Sequence, residues 1–425
     1  MATGIPPKVD IKKTKIPVYL TYEGKQDESD VVSQAYSSFI SVTDINGGNG
    51  NNKFFFGDNL NVLLYLLNNG YKGKINLVYI DPPFATESTF VNRKQEHAYH
   101  DARAGGEYIE FLRQRLIILR ELLSKTGSIY LHLDNKMAFN MKIIMDEIFG
   151  ENNCRAFITR KKCSTKNYTK NTYGNISDYI MFYSKTTNYT WNRPFDPWEI
   201  DKMIEQYPYI DDKTGRRYKK VPIHAPGVRN GETGKEWHGM MPPTGKHWQY
   251  TPAKLDELDA AGEIYWSPTG NPRRKVYCDP EKGVPVQDIW LNYRDSVNQA
   301  LKTTGYPTEK NYDMLKMIVE ASSNEGDIVL DCFAGSGTTL GAAFETGRQW
   351  IGADNSTESL KAILKRFTNG LEVYGDYVNK PEYKQTELVF EERCPFEVLT
   401  TDDQLENISP LCNVRIEENV NAKNP

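Results

Sequence analysis

Two stretches of this chain carry the same alternation, short apolar runs followed by helical stripes, and a stretch of different texture separates them. That alternation constrains the fold most. Strands alternating with helices bury both faces in a parallel sheet with helical cover, so an α/β class is expected. In the first stretch Lys53-Phe54-Phe55-Phe56 reads as a short buried strand closed by Gly57-Asp58. Leu60, Leu63, Leu64 and Leu67 then fall at the i, i+3, i+4, i+7 spacing of a helix face. Ile75 to Ile80 is a second strand, ending at Asp81-Pro82-Pro83-Phe84. Tyr108 to Leu123 is helical, Ser128 to Leu133 a third strand, and Met137 to Phe149 a helix stopped by Gly150. After 305 the pattern resumes, with helices over Tyr312 to Ala321 and Thr338 to Thr346, and strands at Ile328 to Asp331 and Trp350 to Asp354.

These textures divide the chain into an N-terminal arm (1–52), a first sheet segment (53–150), an irregular insert (151–300), a second sheet segment (301–372) and an acidic extension (373–425). The arm ends in the Gly/Asn-rich run Gly47 to Asn52, and the insert is dense in turns, Tyr and Trp. A net charge of -4 over 425 residues argues at first against a nucleic-acid partner, but it is an average. Residues 151–230 hold 15 Lys and Arg against 8 Asp and Glu, a net +7; residues 381–425 hold 4 against 10, a net -6. Basic groups offset phosphate charge and aromatic faces stack bases, so the insert is the candidate contact with nucleic acid. A solvated surface over ordinary core aromatics is the competing account.

Several classes drop out. No apolar window is long enough to span a membrane, and the N-terminus lacks the apolar core of a secretion signal, so a cytoplasmic protein without a membrane partner is expected. The six cysteines form no C-x-x-C pair and are expected to be reduced; no metal site is expected, and His97 and His100 read as part of a solvated loop. No G-x-x-x-x-G-K-[ST] occurs, which excludes a P-loop NTPase.

Two motifs carry chemistry. Asp331-Cys332-Phe333-Ala334-Gly335-Ser336-Gly337-Thr338-Thr339 joins a strand to a helix through glycines, where backbone can approach a ligand beyond the carboxyl ends of parallel strands. Asp354, closing the next strand, is placed to take ribose hydroxyls. A dinucleotide site is the obvious competitor, but Leu340 stands where its third glycine belongs. The other motif, Asp81-Pro82-Pro83-Phe84, puts a carboxylate at the end of a buried strand, costly unless it has a partner or a task. Its prolines remove two N–H donors and leave carbonyls to accept. The Asp81 carboxylate, the Pro82 carbonyl and the Phe84 ring together suit a planar group with an exocyclic NH2. A plain Asp-Pro turn is the alternative.

In combination these residues resemble the amino-group DNA methyltransferases of the circularly permuted beta class, particularly the modification subunits of type III restriction systems. There a catalytic D-P-P-[YF] half precedes a target-recognition domain, and the S-adenosylmethionine half follows with its F-x-G-S-G-T turn. Further similarity lies in Gly127 to Asp134, Gly245-Lys246-His247-Trp248 and Gly305 to Lys310, over roughly 20 to 372. The family often has T-Q-K-P where this chain has Thr308-Glu309-Lys310-Asn311. The resemblance implies a Rossmann-like methyltransferase sheet, permuted, with an inserted target-recognition domain at 151–300. It implies transfer of a methyl group from S-adenosylmethionine to adenine N6 in double-stranded DNA, with the base flipped out. Cytosine N4 is the chemical alternative and a non-catalytic recognition subunit the functional one. Asp81, Pro82, Pro83 and Phe84 would be catalytic. Asp58, Lys310, Asp331, Phe333, Gly335, Ser336, Gly337, Thr338 and Asp354 would hold the cofactor, Asp58 competing with a plain helix-cap role and Lys310 with a surface one. His132 falls in a family motif, structural or catalytic. A restriction subunit and a homodimer are the implied partners; an orphan enzyme fits equally.

Overall fold

The computed structural model describes residues 18–47, 51–83, 90–91, 97–99, 105–164, 171–295, 301–304, 306, 309–368, 372–374 and 394–412. Phe84, His100, Gly305, Pro307 and Thr308 lie outside them, as does the side chain of His97. Two compact units result, one formed by the chain up to Pro194 together with Gln287 onward, the other by Phe195–Val286.

The first unit is built on a ten-stranded sheet. Its strands are β1 (Ile40–Ile45), β2 (Lys53–Phe56), β3 (Ile75–Ile80), β4 (Leu123–Leu133), β5 (Cys154–Lys161), β6 (Ser177–Ser184), β7 (Ile289–Trp290), β8 (Ile328–Asp331), β9 (Gln349–Asp354) and β10 (Phe396–Thr400). The spatial order is β1-β10-β2-β9-β8-β3-β4-β6-β5-β7. From β10 to β4 every neighbour is parallel. The two alternating stretches therefore interleave: β8 and β9, from after the insert, lie between β2 and β3, from before it. This is the permuted order, and it brings the carboxyl ends of β2, β3, β8 and β9 to one edge.

Helical cover follows the apolar stripes. On α1 (Asn59–Leu66), Val62, Leu63, Leu64 and Leu66 are buried. α2 (Gly105–Leu122) buries Leu112, Leu116 and Leu119 in the same core. α3 (Ala138–Phe149) adds Met141, Ile144 and Met145, and ends at Gly150. Each such side chain removed from water contributes about 1.5–3 kcal/mol before chain entropy is charged against it. α4 (Tyr312–Ser322), α5 (Thr338–Glu345) and α6 (Thr357–Thr368) belong to the second stretch.

The sheet runs further than the change of texture at 151 suggests. Arg155 to Thr159 and Asp178 to Tyr183 lie within β5 and β6, which continue it antiparallel beyond β4. β5 is mostly half-buried, which admits Thr, Arg and Lys into its pattern and blurs the apolar run seen in parallel strands. The acidic extension also contributes a strand. β10 pairs parallel with β2 and antiparallel with β1, burying Phe396 and Val398.

The second unit contains a four-stranded antiparallel sheet of Tyr209–Ile210, Arg217–Pro222, Pro272–Tyr277 and Ile264–Trp266, in that order. Ile264 joins Leu255 and Leu258, of the helix Pro252–Ala260, with Ile223, Trp237 and Trp248 in a small core.

Candidate active site

At the carboxyl edge of the parallel strands stand Asp81 after β3, Asp331 ending β8 and Asp354 ending β9. Asp81 is only partly accessible. Its Oδ2 meets Lys310 Nζ at 2.9 Å. Its Oδ1 is buried and has no hydrogen-bond partner among the described residues. Pro82 is buried behind it, and the Tyr108 hydroxyl donates to the Pro83 carbonyl at 2.8 Å, pinning the turn from α2.

The glycine turn is assembled around Asp354. The Gly335 N–H donates to Asp354 Oδ2 at 2.9 Å and the Ser356 N–H to Oδ1 at 2.9 Å. The Gly335 carbonyl accepts from Ser359 Oγ on α6 at 2.6 Å. Gly337, the residue before α5, has φ +70, and a Cβ there would come 2.8 Å from Ile363 Cγ1. Both the left-handed backbone and the closeness of α6 exclude a side chain. The missing third glycine is accounted for across the sheet. Leu340 is fully buried, and a Cβ on Gly352 of β9 would lie 2.6 Å from Leu340 Cδ1. The close helix-to-strand approach is kept, with the glycine on the strand instead of the helix.

Burial raises the Asp354 carboxyl above its ordinary value, against the pull of the Gly335 and Ser356 amides. Asp331 is pushed up to about 7, by burial above all and then by the Asp81 and Asp354 charges. Its Oδ1 accepts the Phe333 N–H at 3.0 Å. Phe333 meets Phe111 edge-on, 6.1 Å between centroids. Ser336 Oγ and Thr338 Oγ1 are 2.7 Å apart, both buried.

Asp58 caps α1, accepting the Asn61 N–H at 3.1 Å, and its other oxygen lies 3.3 Å from Arg115. The cap is one of the two roles open to it from sequence. Lys310 pairs with Asp81, a contact that sequence did not foreshadow. Its neighbour Glu309, where the family often has Gln, is buried against Arg366 at 2.6 Å, and takes the Thr304 N–H and hydroxyl on its other oxygen. Arg366 in turn donates to the Ser336 carbonyl at 2.9 Å and to Thr338 Oγ1 at 3.1 Å. One buried arginine thus ties the strap carrying Lys310 to the glycine turn.

Sequence reasoning missed Tyr79, Arg160 and Asp178. They surround His132, which is fully buried on β4. His132 Nδ1 lies 2.8 Å from the Tyr79 hydroxyl, and Nε2 lies 3.0 Å from Asp178 Oδ2. Arg160 and Asp178 are directly opposite on β5 and β6, 3.1 Å apart. The one signal was charge in strand-like runs at 158–160 and 178–182.

In the second unit, strand register places Tyr209, Tyr218, Lys220, Tyr265, Arg273, Lys275 and Tyr277 on one face of the four-stranded sheet. Lys220 Nζ sits 3.7 Å from the Tyr209 ring centroid and 3.5 Å from that of Tyr265. Asp211 engages Lys275 and the Tyr277 hydroxyl. Neither Lys220 nor Arg273 has a carboxylate partner among the described residues.

Comparison with known proteins fits this architecture. The family described as DNA methylase, covering N6 and N4 enzymes, matches residues 75–365. The type II methyltransferase M.EcaI of Enterobacter cloacae is 48% identical over 375 residues, 87% of this chain and 82% of that protein. The StyLTI Mod subunit of Salmonella typhimurium, a type III restriction-modification enzyme, is 30% identical over 337 residues, 69% of this chain and 50% of its own length. The chain thus spans about half of that Mod subunit. Among solved structures, that of the M1.HpyAVI–SAM complex aligns with a TM-score of 0.41 at 13% identity, covering 74% of this chain and 98% of that one. The chain belongs to the N6/N4 DNA methylase family. It is a DNA methyltransferase, and enzymes of this class take the methyl group from S-adenosylmethionine. Among the described residues no helix is long and apolar enough to cross a membrane.

Proposed function

We propose that this chain methylates adenine N6 in double-stranded DNA, at a specific site and on a base flipped out of the helix. The observation that carries the reading is the buried Oδ1 of Asp81, unpartnered among the described residues. A buried acceptor left unmade costs about 1–3 kcal/mol, so one kept at a strand end above a glycine turn has a ligand to receive. An exocyclic N–H is such a ligand. Lys310 occupies Oδ2 and leaves Oδ1 as the acceptor for such a ligand.

S-adenosylmethionine supplies an electrophilic methyl group when bound. Asp354, Asp331, Phe333, Gly335, Ser336, Gly337 and Thr338 are the residues proposed to hold it, with Asp58 and Lys310 at the margins of the site. The amine lone pair of adenine is delocalised into the ring. N–H bonds to Asp81 Oδ1 and the Pro82 carbonyl favour a pyramidal nitrogen whose lone pair can attack in line. Holding such a near-attack pair is worth up to about 7–11 kcal/mol. Flipping costs a few kcal/mol, part of which stacking on Phe84 would return, at about 1–3 kcal/mol per base.

The insert is proposed as the target-recognition domain, with the Tyr209, Lys220, Tyr265 and Arg273 face of its sheet meeting DNA. Lys220, held over two rings, and Arg273, neither with a carboxylate partner among the described residues, suit phosphate, and the rings between suit bases. The family includes N4 enzymes, and Asp rather than Ser at 81 is the reason for choosing adenine. Nucleoside analysis of DNA methylated by the purified protein decides it: N4-methylcytosine without N6-methyladenine overturns the choice. A restriction subunit and a second copy of this chain are the proposed partners, tested by co-purification and light scattering.

A further inference from the structure

Methyl transfer to an amine releases a proton. The N–C bond forms, the C–S bond breaks with its electron pair passing to sulfur, and one N–H bond of the former NH2 must give up its hydrogen. In the reading above Asp81 Oδ1 takes that hydrogen, while Oδ2 is committed to Lys310. Behind Asp81 lies a second acceptor. His132 Nδ1 is 3.7 Å from Asp81 Oδ1, too far for a hydrogen bond and near enough to become one with a small shift.

We infer that His132 is a positioning residue that acts through Asp81, holding the released proton on Nδ1 while Asp178 stabilises the imidazolium from the other side. The inference rests on the amine-methylation reading. In the tautomer assigned from the hydrogen-bond pattern, Nε2–H donates to Asp178 Oδ2 and Nδ1 accepts from the Tyr79 hydroxyl. Nδ1 is therefore the basic nitrogen, and it is the one turned toward Asp81. The proton passes from the amine nitrogen to Asp81 Oδ1, then to His132 Nδ1, and the Tyr79 hydroxyl releases its bond to make room.

The surroundings are one proton short. Tyr79 and Asp81 face His132 from β3 and the residue after it, Asp178 from β6, Arg160 Nη1 from β5 at 3.5 Å from Nε2, and Lys310 through Asp81. Asp295 completes the group through its ion pair with Arg160. Three carboxylates, Asp81, Asp178 and Asp295, thus stand against two fixed cations, Arg160 and Lys310. One more positive charge balances the cluster, and His132, Arg160 and Asp178 at its centre are buried, where imbalance is expensive. The arrangement of carboxylate, imidazole and acceptor follows the logic by which an acid behind a histidine stabilises the imidazolium.

The test is a pH profile of single-turnover methylation, using unmethylated plasmid DNA and labelled S-adenosylmethionine. His132→Gln keeps hydrogen bonding but cannot hold the proton. It is expected to slow the step by about 10²-fold near neutrality, the low end for losing a general base, and to make the rate climb with pH as solvent takes over. Affinity for S-adenosylhomocysteine, measured by calorimetry, and for DNA should stay as in the wild type. A profile parallel to wild type, or a rate loss matched by lost affinity, overturns the inference. Should His132→Gln not fold, Asp178→Asn keeps the imidazole and removes its support; it must displace the profile in the same direction, and no displacement overturns the inference. Wild-type protein that methylates no DNA amine sinks the functional reading instead, a distinct result.

Discussion

The end of the parallel sheet and the open face of the inserted unit both collect charge, and they treat it in opposite ways. At the sheet end Arg160 is fully buried and spends its guanidinium on Asp178, Asp295 and the Tyr293 carbonyl. On the inserted sheet Lys220 lies over two tyrosine rings with no carboxylate beside it among the described residues. Buried charges are committed: each fixes the next, and removing one strands its partner. Cations on a wet aromatic face keep their charge available for a polyanion. The first arrangement suits the geometry a reaction needs, the second the salt-sensitive DNA affinity proposed for the insert.

That contrast predicts a hierarchy of effects. The largest is at Asp81. Asp81→Ala should cut methyl transfer by at least about 10²–10³-fold, as deleting one preorganised group does. DNA affinity should remain near wild type; tritium incorporation beside a filter-binding titration shows whether the two separate, and joint loss breaks the comparison.

Next comes the pH dependence of stability, set by Asp331. Its carboxyl is pushed up to about 7 by burial, while the unfolded chain titrates near 4. Between about pH 4 and pH 7 the folded state holds a proton the unfolded chain has lost, so stability falls as pH rises, by at most about 1.4 kcal/mol per unit. Asp331→Asn should flatten that window in denaturant titrations, and an unchanged slope would show that the burial argument is misplaced. Asp178 has the opposite sign. Burial lifts its carboxyl, but His132, Arg160 and Lys310 outweigh that and hold it well below the usual range. Its contribution is present above the unfolded value and lost only as pH falls toward the folded one.

Smaller still is the wet face. Lys220→Ala with Arg273→Ala should weaken DNA binding uniformly across sequences and lower the salt slope by about 2, one per phosphate contact. Loss of affinity with the slope intact would mean stacking, not charge, dominates there. The smallest change is Tyr108→Phe, which frees the Pro83 carbonyl and should cost about 1 kcal/mol of stability by thermal melting, with a modest fall in rate.

What could be read in advance follows the same divide. The runs at 75–80 and 328–331 announced buried parallel strands, because apolar residues on both faces leave no ambiguity of period. Asp81 and the glycine turn stood out as polar breaks in those runs. β5 and β6 did not: β5 is mostly half-buried and admits Thr, Arg and Lys, and β6, though mostly buried, opens on the polar Ser177-Asp178. The strap was half seen. Lys310 stands out in sequence as a candidate to hold the cofactor, but its partner Asp81 lies more than two hundred residues away, and only the interleaving of β8 beside β3 brings the regions together. Glu309 showed as a departure from the family pattern; that Arg366 compensates it depends on a contact 57 residues apart. Pairings across such separations leave no periodic trace.

The junction of the inserted unit has a consequence for how such a protein changes over time. The chain leaves at Phe195-Asp196 and returns at Val284-Pro285, and those residues pair as two short antiparallel strands. Gly283 closes the seam, because a Cβ there would come 2.3 Å from the Asp196 carbonyl oxygen. A segment whose two ends are held side by side can be traded whole. If it is the target reader proposed above, a lineage acquires a new target sequence in a single recombination while the chemistry is inherited untouched.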